Sequence, residues 1–359
     1  MIITKPTLLL DLQKCRKNIY KMVAKAKKND LIFRPHFKTH QSIQIGEIFR
    51  KAGVDKITVS SIGMAQYFAD AGWEDITIAF PFNILEISEF EELAEKIDLN
   101  VLISSKASAE KLITLTNRKL NYFIEVDAGY HRSGLDAENL EQIENTISIF
   151  RNKHIFKGFL THSGNTYQAR SKEEILKIHK DTSTKMKALK DKFIDQYPNI
   201  IISTGDTPSC TLANDFDGID EIRPGNFVFF DLMQYNLGVC KFDEIAVCAA
   251  CPVVDINPAR NQIVIYGGGV HFSKEYLLNN GNKNFGEVVN LTSSGWQRSE
   301  KLSWLTSLSQ EHGIIQASDE LMNKIAIGDI VGIIPVHSCM TANLMGSYKT
   351  FDDNSLDHK

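Results

Sequence analysis

Residues 34–40 read RPHFKTH and set Lys38 between His36 and His40, directly after an apolar run. A lysine at the end of a buried strand is solvated, paired or used covalently. If the segment is extended, alternation puts Ile32, Arg34, His36 and Lys38 on one face. Burial there would lower the pKa of Lys38 and make its amine a Schiff-base nucleophile. The plain alternative is a lysine reaching out to solvent. A second pair stands near the other end of the chain, in PVHSCMTANL. In an extended segment His337 and Cys339, at i and i+2, face the same way. An imidazole and a thiolate suit Zn²⁺ or another divalent ion, and two protein ligands leave positions open for water or substrate. The plain alternative is a buried cysteine beside an unrelated histidine.

Four further stretches carry polar groups at the ends of predicted strands. VDAGYHRSG flanks Arg132 with Gly129 and Gly134, and THSGNTY holds His162 and Tyr167. STGDTPSC offers Thr204, Gly205, Asp206 and Thr207, with Pro208 at the expected first turn of a helix, a composition suited to cradling an anion. EIRPGNF adds Arg223, Gly225 and Asn226. Ordinary readings exist for each: a turn arginine, a core histidine, a capped helix, a structural ion pair. Taken together, one per strand end, they point to a phosphate-bearing cofactor beside a lysine. Pyridoxal 5′-phosphate fits, with an aldehyde for Lys38 and a phosphate for the loops.

The elements that must position these residues follow from the pattern. From residue 11 to about 230, eight short β-rich runs alternate with amphipathic helices, which predicts parallel βαβ units and a (β/α)8 barrel; an open doubly wound sheet is the alternative. In such a barrel the active site lies at the C-terminal ends of the strands. After residue 240, short strands split by Gly, Asn and Pro predict a mostly β domain, to which TKPTLLLDL could add a strand. The expected division is 8–235 for the barrel and 236–359, with 1–7, for the β domain. The chain has 359 residues, 43% apolar and 23% charged, with a formal charge of −4, which gives no argument for nucleic acid or an anionic membrane. No signal-peptide pattern or spanning apolar run is present. Six cysteines without an export signal read as reduced cytoplasmic thiols. Cys248 and Cys251 have C-x-x-C spacing without a second pair, so a structural role is expected.

With these residues assembled, the chain resembles the fold-type III pyridoxal-phosphate enzymes, the group of alanine racemase, D-threonine aldolase and the zinc-dependent D-serine dehydratases. RPHFKTH resembles the family's lysine motif and implies the Schiff-base role for Lys38. VDAGYHRSG and THSGNTY imply that Arg132 and His162 lie beside the cofactor and Tyr167 near its pyridine nitrogen. STGDTPSC and EIRPGNF resemble the phosphate loops, and VHSCMTANL the metal motif. His-x-Cys is the dehydratase form and His-x-Asp that of the aldolases. The resemblance implies a lyase acting on D-β-hydroxy amino acids, most simply dehydration of D-serine, with Lys38 as general base. Retro-aldol cleavage of D-threonine-like substrates is the close rival and needs a further base, for which His162, His271 or His312 could serve. A racemase, a non-catalytic cofactor carrier, and a metal-dependent barrel enzyme without the cofactor are the remaining readings. The family also implies a homodimer. Two departures stand out: Asp206 replaces a small or uncharged residue, and YGGGVHFSKE replaces a segment that often begins with an acid. With Glu311 and His312, the latter leaves the substrate open.

Overall fold

The computed structural model describes residues 2–116, 118–150 and 153–359. The chain divides into two compact units. One comprises residues 20–38 and 46–225; the other comprises 1–19, 39–45 and 226–359. The division falls between Gly225 and Asn226, whereas the sequence boundary was drawn at 235/236.

The first unit is the (β/α)8 barrel. Its parallel strands run in the order Ile32–Phe33, Glu221–Ile222, Ile201–Thr204, Ile155–Thr161, Asn121–Asp127, Asp98–Ile103, Asp75–Pro81 and Lys56–Val59. A parallel bridge between His36 and Thr58 closes the ring, with the Thr58 amide donating to the Pro35 carbonyl at 2.9 Å. Helices begin where capping residues stand: Ser61, Ser105, Asn139, Ser171 and Asp206 each accept a backbone N–H of the first turn. The interior is apolar around Leu102, Phe123, Leu160 and Ile201. It also holds a buried ion pair, Arg34 with Glu221 at 2.7 Å, and Ser203 Oγ donates to the other Glu221 oxygen at 2.6 Å. Buried charge of this kind persists only when it is paired.

The first strand is shorter than the alternation expected. Residues Phe37–Thr39 form a 3₁₀ turn, so Lys38 is not extended and does not share a strand face with Arg34. Arg34 is buried in the barrel, and Lys38 is exposed. The buried lysine expected from the sequence is therefore corrected: the turn carries it out of the wall.

The second unit contains a closed antiparallel β-barrel. Val247–Asn257 pairs with Gln262–Tyr266, then come His312–Gln316, Trp304–Leu308, Gly286–Thr292 and Ile330–Pro335, which returns to Val247–Asn257. Thr7–Leu10 joins as an antiparallel neighbour of Val247–Ala250. Cys248 and Cys251 lie three residues apart on one strand, so the pleat sends them to opposite faces. Both are fully buried, and glycine backbones make room for them: a Cβ on Gly332 or on Gly267 would stand 2.8 Å from the respective sulfur. They are packing thiols. No helix among the described residues is long and apolar enough to cross a membrane.

Candidate functional site

In the (β/α)8 unit the singled-out residues gather at the C-terminal ends of the strands. The Lys38 amide donates to His36 Nδ1 at 3.4 Å, which fixes the buried His36 ring under the turn. After the fifth strand, Asp127 organises the loop: its Oδ1 accepts the amides of Gly129, Tyr130 and His131 at 2.8, 3.0 and 3.0 Å. Gly134 closes that loop at φ +105°, where a Cβ would meet the Glu125 carbonyl at 2.9 Å. Arg132 is half exposed, 3.8 Å from the buried Glu125 carboxylate, and its guanidinium lies over the Tyr130 ring. Tyr130 in turn packs against Gly164 in the loop after the sixth strand and lies edge-on to His162.

His162 Nδ1–H donates to the Gly205 carbonyl at 2.5 Å and so ties the sixth strand end to the seventh. Burial is the main force lowering its pKa to about 3, and the charges of Lys38, Arg132 and Arg223 add to it; the carbonyl opposes. His162 is a neutral imidazole with its proton on Nδ1. The Tyr167 hydroxyl accepts the Thr207 amide at 3.3 Å, so this side chain braces the seventh-strand loop. Gly205 leaves no space for a side chain: a Cβ would sit 2.9 Å from the backbone of Arg223. The Arg223 amide donates to the Thr204 carbonyl at 2.8 Å.

Two candidate residues turn away from an anion. Asp206 caps the helix Thr207–Leu212, accepting Ser209 N–H at 2.7 Å and the Thr166 hydroxyl at 3.0 Å. Arg223 points into the barrel, with Nε donating to Ser203 Oγ at 2.7 Å and Nη2 to the Thr161 carbonyl at 2.5 Å. The strand ends nevertheless fit a pyridoxal phosphate. They offer an exposed primary amine, two glycine-lined loops whose backbones approach too closely for a Cβ, and a positive field from Lys38, Arg132 and Arg223 that is felt at both His36 and His162.

In the second unit the strand Ile330–Pro335 ends before the metal motif. His337 is the residue preceding the helix Ser338–Met345, and Cys339 is in its first turn. The extended geometry expected for this pair is thus corrected. The two still lie close enough to interact electrostatically. Ser338, between them, is pinned from below. Asp231 Oδ2 accepts the Ser338 amide at 2.9 Å, the Ser338 hydroxyl at 3.2 Å and Asn226 Nδ2 at 2.6 Å. Cys339 Sγ receives Asn226 Nδ2 at 3.4 Å and lies 3.3 Å from Thr39 Oγ1. Asn226, assigned from sequence to the phosphate loop, therefore turns its amide toward the His-Ser-Cys turn.

Burial raises the Cys339 pKa, but the His337 partner and the Thr39 hydroxyl outweigh it and the net direction is down. Burial likewise lowers His337, while Cys339 and Glu275 hold it up at about 11. Asp231 opposes that lowering, but on balance the setting favours the thiolate more than an ordinary cysteine's does, and thiolate is the form that binds metal. A nitrogen–sulfur donor pair fits a Zn²⁺-like ion. Among the described residues no group of three or more His, Cys, Asp or Glu side chains is arranged to hold a metal, so an ion here would keep open positions. Of the extra groups noted in the sequence, His271 lies 3.9 Å from Glu311, and His312 is exposed on its strand. Asp127, Tyr130, Thr39, Asp231 and Glu275 were missed. Only Asp231 had a signal, as the cap ahead of LMQ with Gln234 three residues on.

The family model described as "Alanine racemase, N-terminal domain" matches residues 10–232, and that described as "Putative serine dehydratase domain" matches residues 246–351. The chain is 29% identical to a D-serine dehydratase of Dictyostelium discoideum, over 95% of this chain and 91% of that protein. It is 27% identical to a D-threo-3-hydroxyaspartate dehydratase of Delftia sp. strain HT23, over 96% and 93% respectively. A solved structure of a D-threo-3-hydroxyaspartate dehydratase, in a cysteine-to-alanine variant described as metal-free, superposes with a TM-score of 0.92 at 24% identity, covering 99% of this chain and 98% of that one.

Proposed function

The chain belongs to the family of the alanine racemase N-terminal domain, and from that premise we propose that it is a pyridoxal-phosphate- and divalent-metal-dependent lyase that eliminates the β-hydroxyl of D-β-hydroxy amino acids. D-Serine, giving pyruvate and ammonia, is the foremost substrate. The observation that carries this reading is the His337–Cys339 pair, with Thr39 and Asn226 against the sulfur and Asp231 fixing Ser338 between the two. A racemase or a cofactor carrier has no use for such a pair. The named activities of the relatives support the substrate class.

Lys38 Nζ would hold the cofactor and, as a free amine, would take the proton from the substrate Cα. The hydroxyls of Thr204 and Thr207 and the amides of Gly205 and Gly225 would hold the phosphate. Asp206, Tyr167 and Arg223 position those loops from behind, and Arg132 and His162 would flank the ring. His337 and Cys339 would hold the metal. When bound, the cofactor supplies an electron sink for the breaking Cα–H bond and the metal a Lewis acid for the departing hydroxide. Lys38 and Thr39 are consecutive in the chain, and Thr39 touches Cys339, which supports a single reaction served by both groups.

Elimination is favoured over retro-aldol cleavage by the motif itself, which has the His-x-Cys form rather than His-x-Asp. An aldolase needs a further base for the β-hydroxyl, and the buried His162, with Nδ1 committed to a carbonyl, is a weaker candidate for it than an exposed imidazole. The test is a pair of variants. Lys38→Ala should lose the visible absorbance of the lysine-bound cofactor and all turnover. Cys339→Ala should keep the absorbance and lose elimination. Unimpaired elimination by metal-free Cys339→Ala would remove the metal from the reaction.

A further inference from the structure

We propose that Glu275 is the positioning residue of the metal pair: its carboxylate holds the His337 ring by Nδ1, so that Nε2 is the nitrogen presented to the metal. The inference rests on the metal reading above. His337 Nδ1 stands 2.5 Å from Glu275 Oε2. A carboxylate only accepts, so a hydrogen lies on Nδ1, and once the ring gives up its other proton to a metal the lone pair lies on Nε2. A carboxylate on the outer nitrogen of a ligating histidine fixes tautomer and ring orientation, and its loss typically weakens metal binding 10- to 100-fold.

Glu275 is delivered from a separate part of this unit. The short helix Gly269–Phe272 packs on the helix Ser338–Met345. Ser273, at φ +64°, then reverses the chain, and its hydroxyl accepts the Glu275 amide at 3.3 Å. The next residue anchors the turn: Tyr276 packs on Phe285 and lies beneath the Lys283 ammonium, across the hairpin Leu277–Asn279 and Asn282–Asn284. This is the YGGGVHFSKE segment, whose departure from the family pattern left its purpose open. The Glu275 side chain is 44% exposed, so as a plain salt bridge the contact would add little stability. Stability and metal affinity therefore separate the two roles.

The experiment measures zinc dissociation constants on the full-length, cofactor-loaded protein by competition with a chromogenic chelator. Glu275→Ala should bind zinc 10- to 100-fold more weakly, with an unchanged unfolding midpoint and an unchanged cofactor spectrum. Glu275→Gln, whose amide oxygen still accepts the Nδ1 hydrogen, should recover most of the loss. Wild-type affinity in Glu275→Ala, or equal losses in the Ala and Gln variants, would overturn the positioning role. His337→Ala is the control for the underlying reading. If it binds zinc as wild type does, the metal site itself is refuted, and this inference with it.

Discussion

A carboxylate beside the proposed phosphate loop must be neutralised or turned aside, and Asp206 is turned aside. It caps Ser209 and accepts from Thr166. Burial pushes its pKa up to about 6, above the roughly 3.9 of an unfolded aspartate. The folded state then holds the proton longer. The stability this gives is complete below about pH 4 and is lost as pH rises through about 6, a decline on the order of 2–3 kcal/mol. Asp206→Asn, which can cap the same amide, should lack that decline. Its urea midpoint should draw ahead of wild type between pH 4 and pH 7. Parallel curves would show that the carboxylate is not carried in the buried state described. The residue types of this site were legible in the sequence, because Lys, Arg, His and Gly at strand ends stand out against apolar runs. Their orientations were not. Whether Asp206 faces an anion or a helix is decided by Thr166, forty positions away, and Arg223 is drawn inward by Ser203 and Thr161.

At the scale of elements, strand alternation misled twice, both times where a strand stops early. Residues 37–39 turn into a 3₁₀ helix, and the His337–Cys339 pair sits at a helix start. In the second case a contact distant in sequence, Asp231 to Ser338, overrides the extended pattern. A similar long-range contact secures the segment after Lys38. Asp357, near the far end of the chain, accepts Ser42 Oγ and Ile43 N at 2.8 Å and Gln44 N at 3.3 Å, and so caps the helix Ile43–Lys51 from outside. Asp357→Ala should lower unfolding stability by about 1–2 kcal/mol, and Asp357→Asn by only part of that. A midpoint unchanged in the alanine variant would show that the tail does not hold this helix.

At the scale of the whole molecule, the parallel barrel was readable because eight βα periods repeat with one strand type and capped helices, so errors at single boundaries do not accumulate. The second unit was readable only as β-rich. Its strands are short, and ring closure depends on the pairing of Val247–Asn257 with both Gln262–Tyr266 and Ile330–Pro335, which no local pattern encodes. The chain thus carries a lysine on one unit and a cysteine–histidine pair on the other, and the proposal that a single elimination uses both is open to direct trial. The decisive measurement is product formation by the purified, cofactor-loaded protein from D-serine and from D-threonine, with and without a chelator. The account predicts a 2-oxo acid and ammonia, abolished by chelation and restored by Zn²⁺. Glycine and acetaldehyde from D-threonine, or elimination indifferent to the chelator, would contradict it.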